Sequence, residues 1–167
     1  MKILVDGYNL LHASGVFGGA RGPRGFEASR QALLDTLALL LGDERNHTTV
    51  VFDAADAPPG LPDRSRHDGI EVVFARHHPS ADALIEELIE THHAPGHLTV
   101  VSADNRVIAA ARRRRAKAVP SGTWFAELRA ARAAGSEAGD PKPGPPADER
   151  EVDRWLREFG FGPTSDR

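Results

Sequence analysis

Cysteine is absent from the 167 residues of this chain. That excludes a disulfide framework, a thiol nucleophile and a cysteine-ligated zinc, and it points to a reducing compartment, with the cytoplasm as the expectation. No run approaches the roughly 20 consecutive apolar residues of a membrane-spanning helix. The N-terminal apolar run already meets an acid at Asp6, so neither a membrane partner nor export is expected. A clear glycine-rich phosphate cradle joining a strand to a helix is also missing. Its absence weighs against a phosphatase for small phosphate esters, although the glycines between Gly18 and Gly25 keep that reading open. The net charge of -3 neither requires nor forbids a nucleic-acid partner.

What the chain does have is a repeated arrangement of apolar strands that end in acids. Lys2-Ile3-Leu4-Val5 runs into Asp6, Val50-Val51-Phe52 into Asp53, and Leu98-Thr99-Val100-Val101-Ser102-Ala103 into Asp104. Short continuous apolar runs read as strands buried on both faces, and open α/β sheets bind ligands outside the carboxyl ends of such strands. Leu33, Leu34, Leu37, Leu40 and Leu41 set a first helix over about 26–41, closed by Gly42. Strands follow at 48–53 and 70–74, then a helix capped by Ser80 and running to about His92, with Ala81, Leu84, Ile85, Leu88 and Ile89 as its buried stripe. A strand at 98–102, a helix at 105–114, a short strand at 116–119 and a helix from Ser121 complete the alternation. This pattern predicts an α/β fold with a mainly parallel sheet between helices, as one domain over residues 1–133. Residues 134–147 read as a Pro/Gly-rich linker, and 148–167 as a helical tail in which Val152, Trp155, Leu156 and Phe159 share one side.

Asp6 and Asp104 at strand ends, with Asp82 in the first turn of a helix, suit a hard divalent ion, because magnesium and manganese prefer oxygen ligands. Asn9 adds an amide oxygen or orients a water, and Asp53 is a further acid for a supporting role or an ordinary loop position. Each residue also has a plain structural reading. Asp104 caps the helix after it, Asp82 favours the positive end of its own helix, and Asp6-Gly7-Tyr8-Asn9 is turn chemistry. Glu86, one turn after Asp82, reads as solvated. Arg21 and Arg24, in a glycine-rich loop over 15–25 expected to be mobile, are placed to touch RNA. Arg113 and Arg115, within the run Arg112–Arg115, either bind phosphates or simply suit a helix C-terminus. His77-His78 and His92-His93 read as surface residues, since neighbours on a helix diverge by about 100°.

Ile3-Leu4-Val5-Asp6-Gly7-Tyr8-Asn9-Leu10-Leu11, Val50-Val51-Phe52-Asp53-Ala54, Ser80-Ala81-Asp82 and Val100-Val101-Ser102-Ala103-Asp104 together resemble the YacP-like NYN branch of the PIN-like nuclease superfamily. The closing segment from Val119 to Leu128 resembles the family's last strand and helix, so the likeness runs from residue 1 to about 133. It implies a PIN-like three-layer fold, a pocket formed or supported by Asp6, Asn9, Asp82 and Asp104, bound Mg2+ or Mn2+, and endonucleolytic hydrolysis of RNA, with ribosome-associated RNA as one setting. Asn105 stands where some relatives carry a second acid. A catalytically inactive RNA-binding or ribosome-associated adaptor with the same fold is the alternative from another class.

Overall fold

The computed structural model describes residues 1–16, 23–57 and 59–137. Six strands form one sheet in the order β3-β4-β2-β1-β5-β6. These are β1 (Lys2–Asp6), β2 (Thr48–Phe52), β3 (Arg64–His67), β4 (Ile70–Phe74), β5 (Leu98–Val101) and β6 (Lys117–Val119). Every pairing is parallel except that of β3 with β4. Five helices flank the sheet among the described residues: α1 (Gly7–Ser14), α2 (Pro23–Leu41), α3 (Ala81–Thr91), α4 (Asn105–Arg113) and α5 (Ser121–Glu137).

Strand alternation explains the three layers. Ile3, Val5, Val50, Phe52, Val72, Phe74 and Val101 pack on one face with α1, α2 and α5, through Leu10, Leu33, Leu37, Trp124 and Phe125. Leu4, Val51, Val73, Leu98 and Val100 pack on the other face with α3 and α4, through Leu84, Ile85, Ile89, Val107 and Ala110. Side chains of period two thus feed two cores, which is why these strands read as unbroken apolar runs. Among the described residues no helix is long and apolar enough to cross a membrane.

Two expectations are corrected, and one strand is added. Gly7–Ser14 is helical, so the helix over the leucine-rich segment is the second and not the first. Asp6 caps α1 by accepting from the Asn9 amide, and Gly15 closes it at φ 65, yet only two of its apolar side chains reach the core, too few to show a period. Next, α2 starts at Pro23, a residue preorganised for the first helical turn, so Arg24 and Gly25 belong to a helix and not to a loop. Finally, β3 is an added edge strand. Asp68 and Gly69, at φ 47 and 94, form the tight two-residue turn that joins it antiparallel to β4.

Residues Met1–Arg132 form one compact unit. Residues 134–137, expected to open the linker, continue α5, and the rest of the linker to 147 and the tail at 148–167 lie outside the described residues.

Candidate active site

From β1 the chain order moves outward to β2 and β4, then jumps through α3 to β5 on the opposite side of β1. Connections therefore diverge on either side of β1 and β5, which opens a crevice at the carboxyl ends of these two strands. Asp6 ends β1 and Asp104 follows β5 by three residues, so both acids stand at this crevice. Asp82 enters it from the N-terminus of α3, and Asp53 from the end of β2. One pocket is lined by Asp6, Asp53, Asp82 and Asp104, together with Tyr8, Asn9, His12 and Ala81.

Each acid is held differently. Asp6 is buried, its Oδ1 accepting from the Asn9 amide at 3.2 Å and its Oδ2 from the Ser102 hydroxyl at 3.0 Å. Burial pushes its carboxyl up to about 6, the two hydrogen bonds pull it down in part, and repulsion from Asp82 and Asp104 adds to the rise. Asp104 caps α4, with Oδ1 accepting from the amides of Arg106 at 2.8 Å and Val107 at 3.3 Å. Its cap reading is therefore correct, and Oδ2 makes no hydrogen bond among the described residues. The carboxylate of Asp82 accepts none either. Desolvation first, then repulsion from Asp104 and Asp53, raises its pKa, against a lowering by Arg106. Asp53 Oδ1 accepts from the Ala81 amide at 2.8 Å and so fixes the start of α3.

Asn9 works as a strut. Its Oδ1 accepts from the Ala103 amide at 2.8 Å and the Ser121 hydroxyl at 2.6 Å, joining α1 to the β5–α4 loop and to α5. That oxygen is turned away from the role of a free metal donor. Gly7 has an equally local reason: a Cβ there would lie 2.5 Å from the Phe52 ring. Two serines that sequence reasoning passed over, Ser102 and Ser121, are fully buried and complete this scaffold. The signal for Ser102 was its place two residues before the strand-end acid.

Arg106 stands at the rim, bound through two nitrogens to Glu86 at 2.6 and 3.0 Å, so Glu86 is engaged and not simply solvated. Arg113 and Arg115 are not brought to the pocket. Helix α4 begins at the acids and spans about 13 Å before reaching them, and Arg113 lies 3.6 Å from Glu90. Arg21 and the side chain of Arg24 lie outside the described residues.

A hard-cation fit is supported by the donor set, since oxygens of Asp6, Asp82 and Asp104 face one pocket and repel one another there. They are not the tightest such group. Among the described residues, Asp35, His67 and Asp68 have ligand atoms all within 4.8 Å of one another. His67 Nε2 lies 2.6 Å from Asp35 Oδ1, so an ordinary hydrogen bond accounts for much of that closeness. Asp6, Asp82 and Asp104 do not reach that spacing, as expected of repelling carboxylates, two of which, Asp6 and Asp104, are pinned by amides and a hydroxyl of their own chain.

A mostly parallel sheet, covered on both faces and gathering acids outside its central strands, is an α/β architecture consistent with a PIN-like fold. The chain belongs to the YacP-like NYN domain family, whose sequence profile matches residues 3–155. This match extends past residue 133. Over 88 residues the chain is 32% identical to the uncharacterized protein YacP of Bacillus subtilis (strain 168). The alignment takes in 53% of this chain and 51% of that protein, so it spans about half the length of the curated relative. The fold is similar to the crystal structure of Rae1 (YacP) from Bacillus subtilis, at a TM-score of 0.59 and 22% identity, covering 96% of this chain and 84% of that one. A tryptophan-to-leucine variant of the same protein gives a TM-score of 0.58 at 22% identity, covering 98% and 87% of the two chains. Family membership supports a nuclease-type function.

Proposed function

We propose that the protein is a divalent-metal-dependent endoribonuclease that hydrolyses RNA phosphodiester bonds with water as the nucleophile. The observation that carries this reading is the convergence of Asp6, Asp82 and Asp104 on one crevice, with Asp6 buried and pushed up to about 6 partly by its two acidic neighbours. Burying like charges together is unfavourable unless a cation or a proton resolves it. Asp6, Asp82 and Asp104 would hold Mg2+ or Mn2+, which supplies a deprotonated water at neutral pH and neutralises charge on the phosphate.

The chain's own residues do the positioning. Ser102 and the Asn9 amide orient Asp6, the α4 amides orient Asp104, and Asp53 sets Asp82 by holding the first turn of α3. Arg106, paired with Glu86, favours the ionised form of Asp82 from the rim. In this proposal Arg21 and Arg24 contact the RNA backbone near the pocket, and Arg113 and Arg115 add a separate basic site at the far end of α4. The cytoplasm is the setting consistent with a chain that has no cysteine.

The experiment incubates purified protein with single-stranded and structured RNAs in Mg2+, in Mn2+ and after exhaustive chelation. Cleavage that needs either ion and disappears in Asp82→Asn supports the reading. Undiminished cleavage after metal removal overturns the mechanism. Tight RNA binding with no cleavage under any condition favours the inactive adaptor.

A further inference from the structure

Beside the acids the pocket has an aromatic wall that acid chemistry does not require. Tyr8, the single tyrosine of the chain, lies two residues after Asp6 in the first turn of α1 and lines the same pocket. The residue is 39% exposed, whereas Trp124, Phe52 and Phe74 are buried. Phe26 stacks against it at a centroid distance of 5.6 Å and an interplanar angle of 24°, and His12, which also lines the pocket, meets it edge-on at 4.5 Å and 71°. The Tyr8 hydroxyl makes no hydrogen bond among the described residues. This ring is therefore braced by its neighbours on a rigid helix start, with part of its surface left to solvent beside the carboxylates.

We propose that Tyr8 is a stacking platform for a nucleobase next to the phosphate held at the acids, so that the substrate is single-stranded or locally splayed RNA. The inference rests on the hydrolase reading for the position of the phosphate. Every base has a π-face, and stacking on a protein ring is sequence-tolerant, so the platform selects for an unstacked base rather than for a base identity. A base inside a duplex has both faces covered and cannot lie on the ring without leaving its stack. The surrounding acids make the same point from the electrostatic side. Four carboxylates repel a polyanion, and an aromatic surface supplies attraction that does not depend on charge.

Uridine oligonucleotides carrying one 2-aminopurine are the probe, with calcium in place of magnesium to hold back cleavage. Binding to the wild-type protein should quench the 2-aminopurine at one position in the oligonucleotide. Tyr8→Ala should weaken binding roughly 5- to 150-fold and remove that quench. Tyr8→Phe should stay within about twofold of wild type, and Tyr8→Leu, which keeps bulk against Phe26 without a π-face, should behave like Tyr8→Ala. An abasic nucleotide at the quenched position should cost the wild-type protein a similar factor, a comparison that stands even where a variant folds poorly. Equal affinity for the abasic and complete oligonucleotides overturns the platform, as does a quench that survives in Tyr8→Leu or an absence of any binding. Absence of cleavage in Mn2+ together with a Tyr8-dependent quench overturns the hydrolase reading alone.

Discussion

The buried hydroxyl of Ser102 donates to Asp6 Oδ2 over 3.0 Å, across a separation of 96 residues, and its oxygen accepts from the Asp104 amide at the same distance. One side chain thus couples the two strand-end acids. The bond to Asp6 favours the ionised carboxylate. Ser102→Ala should therefore raise the pKa of Asp6 further and move the acid limb of the cleavage pH profile to higher pH. It also leaves the Asp104 amide without its acceptor, at a cost of about 1–3 kcal/mol in stability. A pH profile with an unmoved acid limb in the folded variant would return Ser102 to a purely structural role.

Asp6 should make the metal-free protein less stable as pH rises. The folded state keeps this proton to about pH 6, whereas the free side chain loses it near 3.8. Between these values the folded protein binds more protons than the unfolded chain. The associated stability is complete below the lower value and is lost as pH passes through the upper one, on the order of 3 kcal/mol in all. Asp6→Asn lacks this component. Urea unfolding of both proteins from pH 4 to 7, with chelator present, should show the wild type losing stability relative to the variant. Parallel curves contradict the burial argument.

Asp104→Asn should separate cap from chemistry. Asparagine caps as well as aspartate does, so the bonds to the amides of Arg106 and Val107 persist and the melting temperature should change by only a few degrees. The proposed metal loses one of its charged donors, and cleavage should fall by at least about a hundredfold, the upper end of what a metal-supporting residue costs. Near-normal turnover in the folded variant leaves Asp104 as a cap alone.

Gly7→Ala should be destabilising despite the better helix propensity of alanine. The new methyl would meet Phe52, which cannot retreat because Phe74 lies 6.1 Å from its ring centre and the Arg30 guanidinium sits 5.8 Å above it. Overpacking of this kind typically costs about 1–3 kcal/mol. Adding Phe52→Leu should recover part of the loss, which calorimetry can read. A Gly7→Ala protein as stable as wild type would show that the core yields at this point.

The alternation of elements and the address of the acids were legible because unbroken apolar runs and leucine spacing report the burial that builds a covered sheet. Asp6 and Asp104 were readable from their positions after such runs. The hairpin at Asp68-Gly69 was also written in the sequence, but Arg64–His67 carries no apolar alternation since it pairs at the sheet edge. Helix α1 is too short for a period to emerge. The work of Asn9 was not legible at all. Its partners Ala103 and Ser121 are 94 and 112 residues away, and only the tertiary fold brings them within hydrogen-bond reach.

Those long spans impose an order on the making of the protein. Asp6 and Asn9 precede their partners Ser102, Ala103 and Ser121 by 96, 94 and 112 residues. During synthesis, at roughly 5–20 residues per second, Asp6 lacks its Ser102 bond until β5 has slotted in beside β1, and Asn9 lacks Ser121 until α5 has begun. A nascent chain that has not reached these partners therefore carries Asp6 without the bonds that orient it. The strut at Asn9 thus makes the geometry of the acid pocket a property of the finished fold.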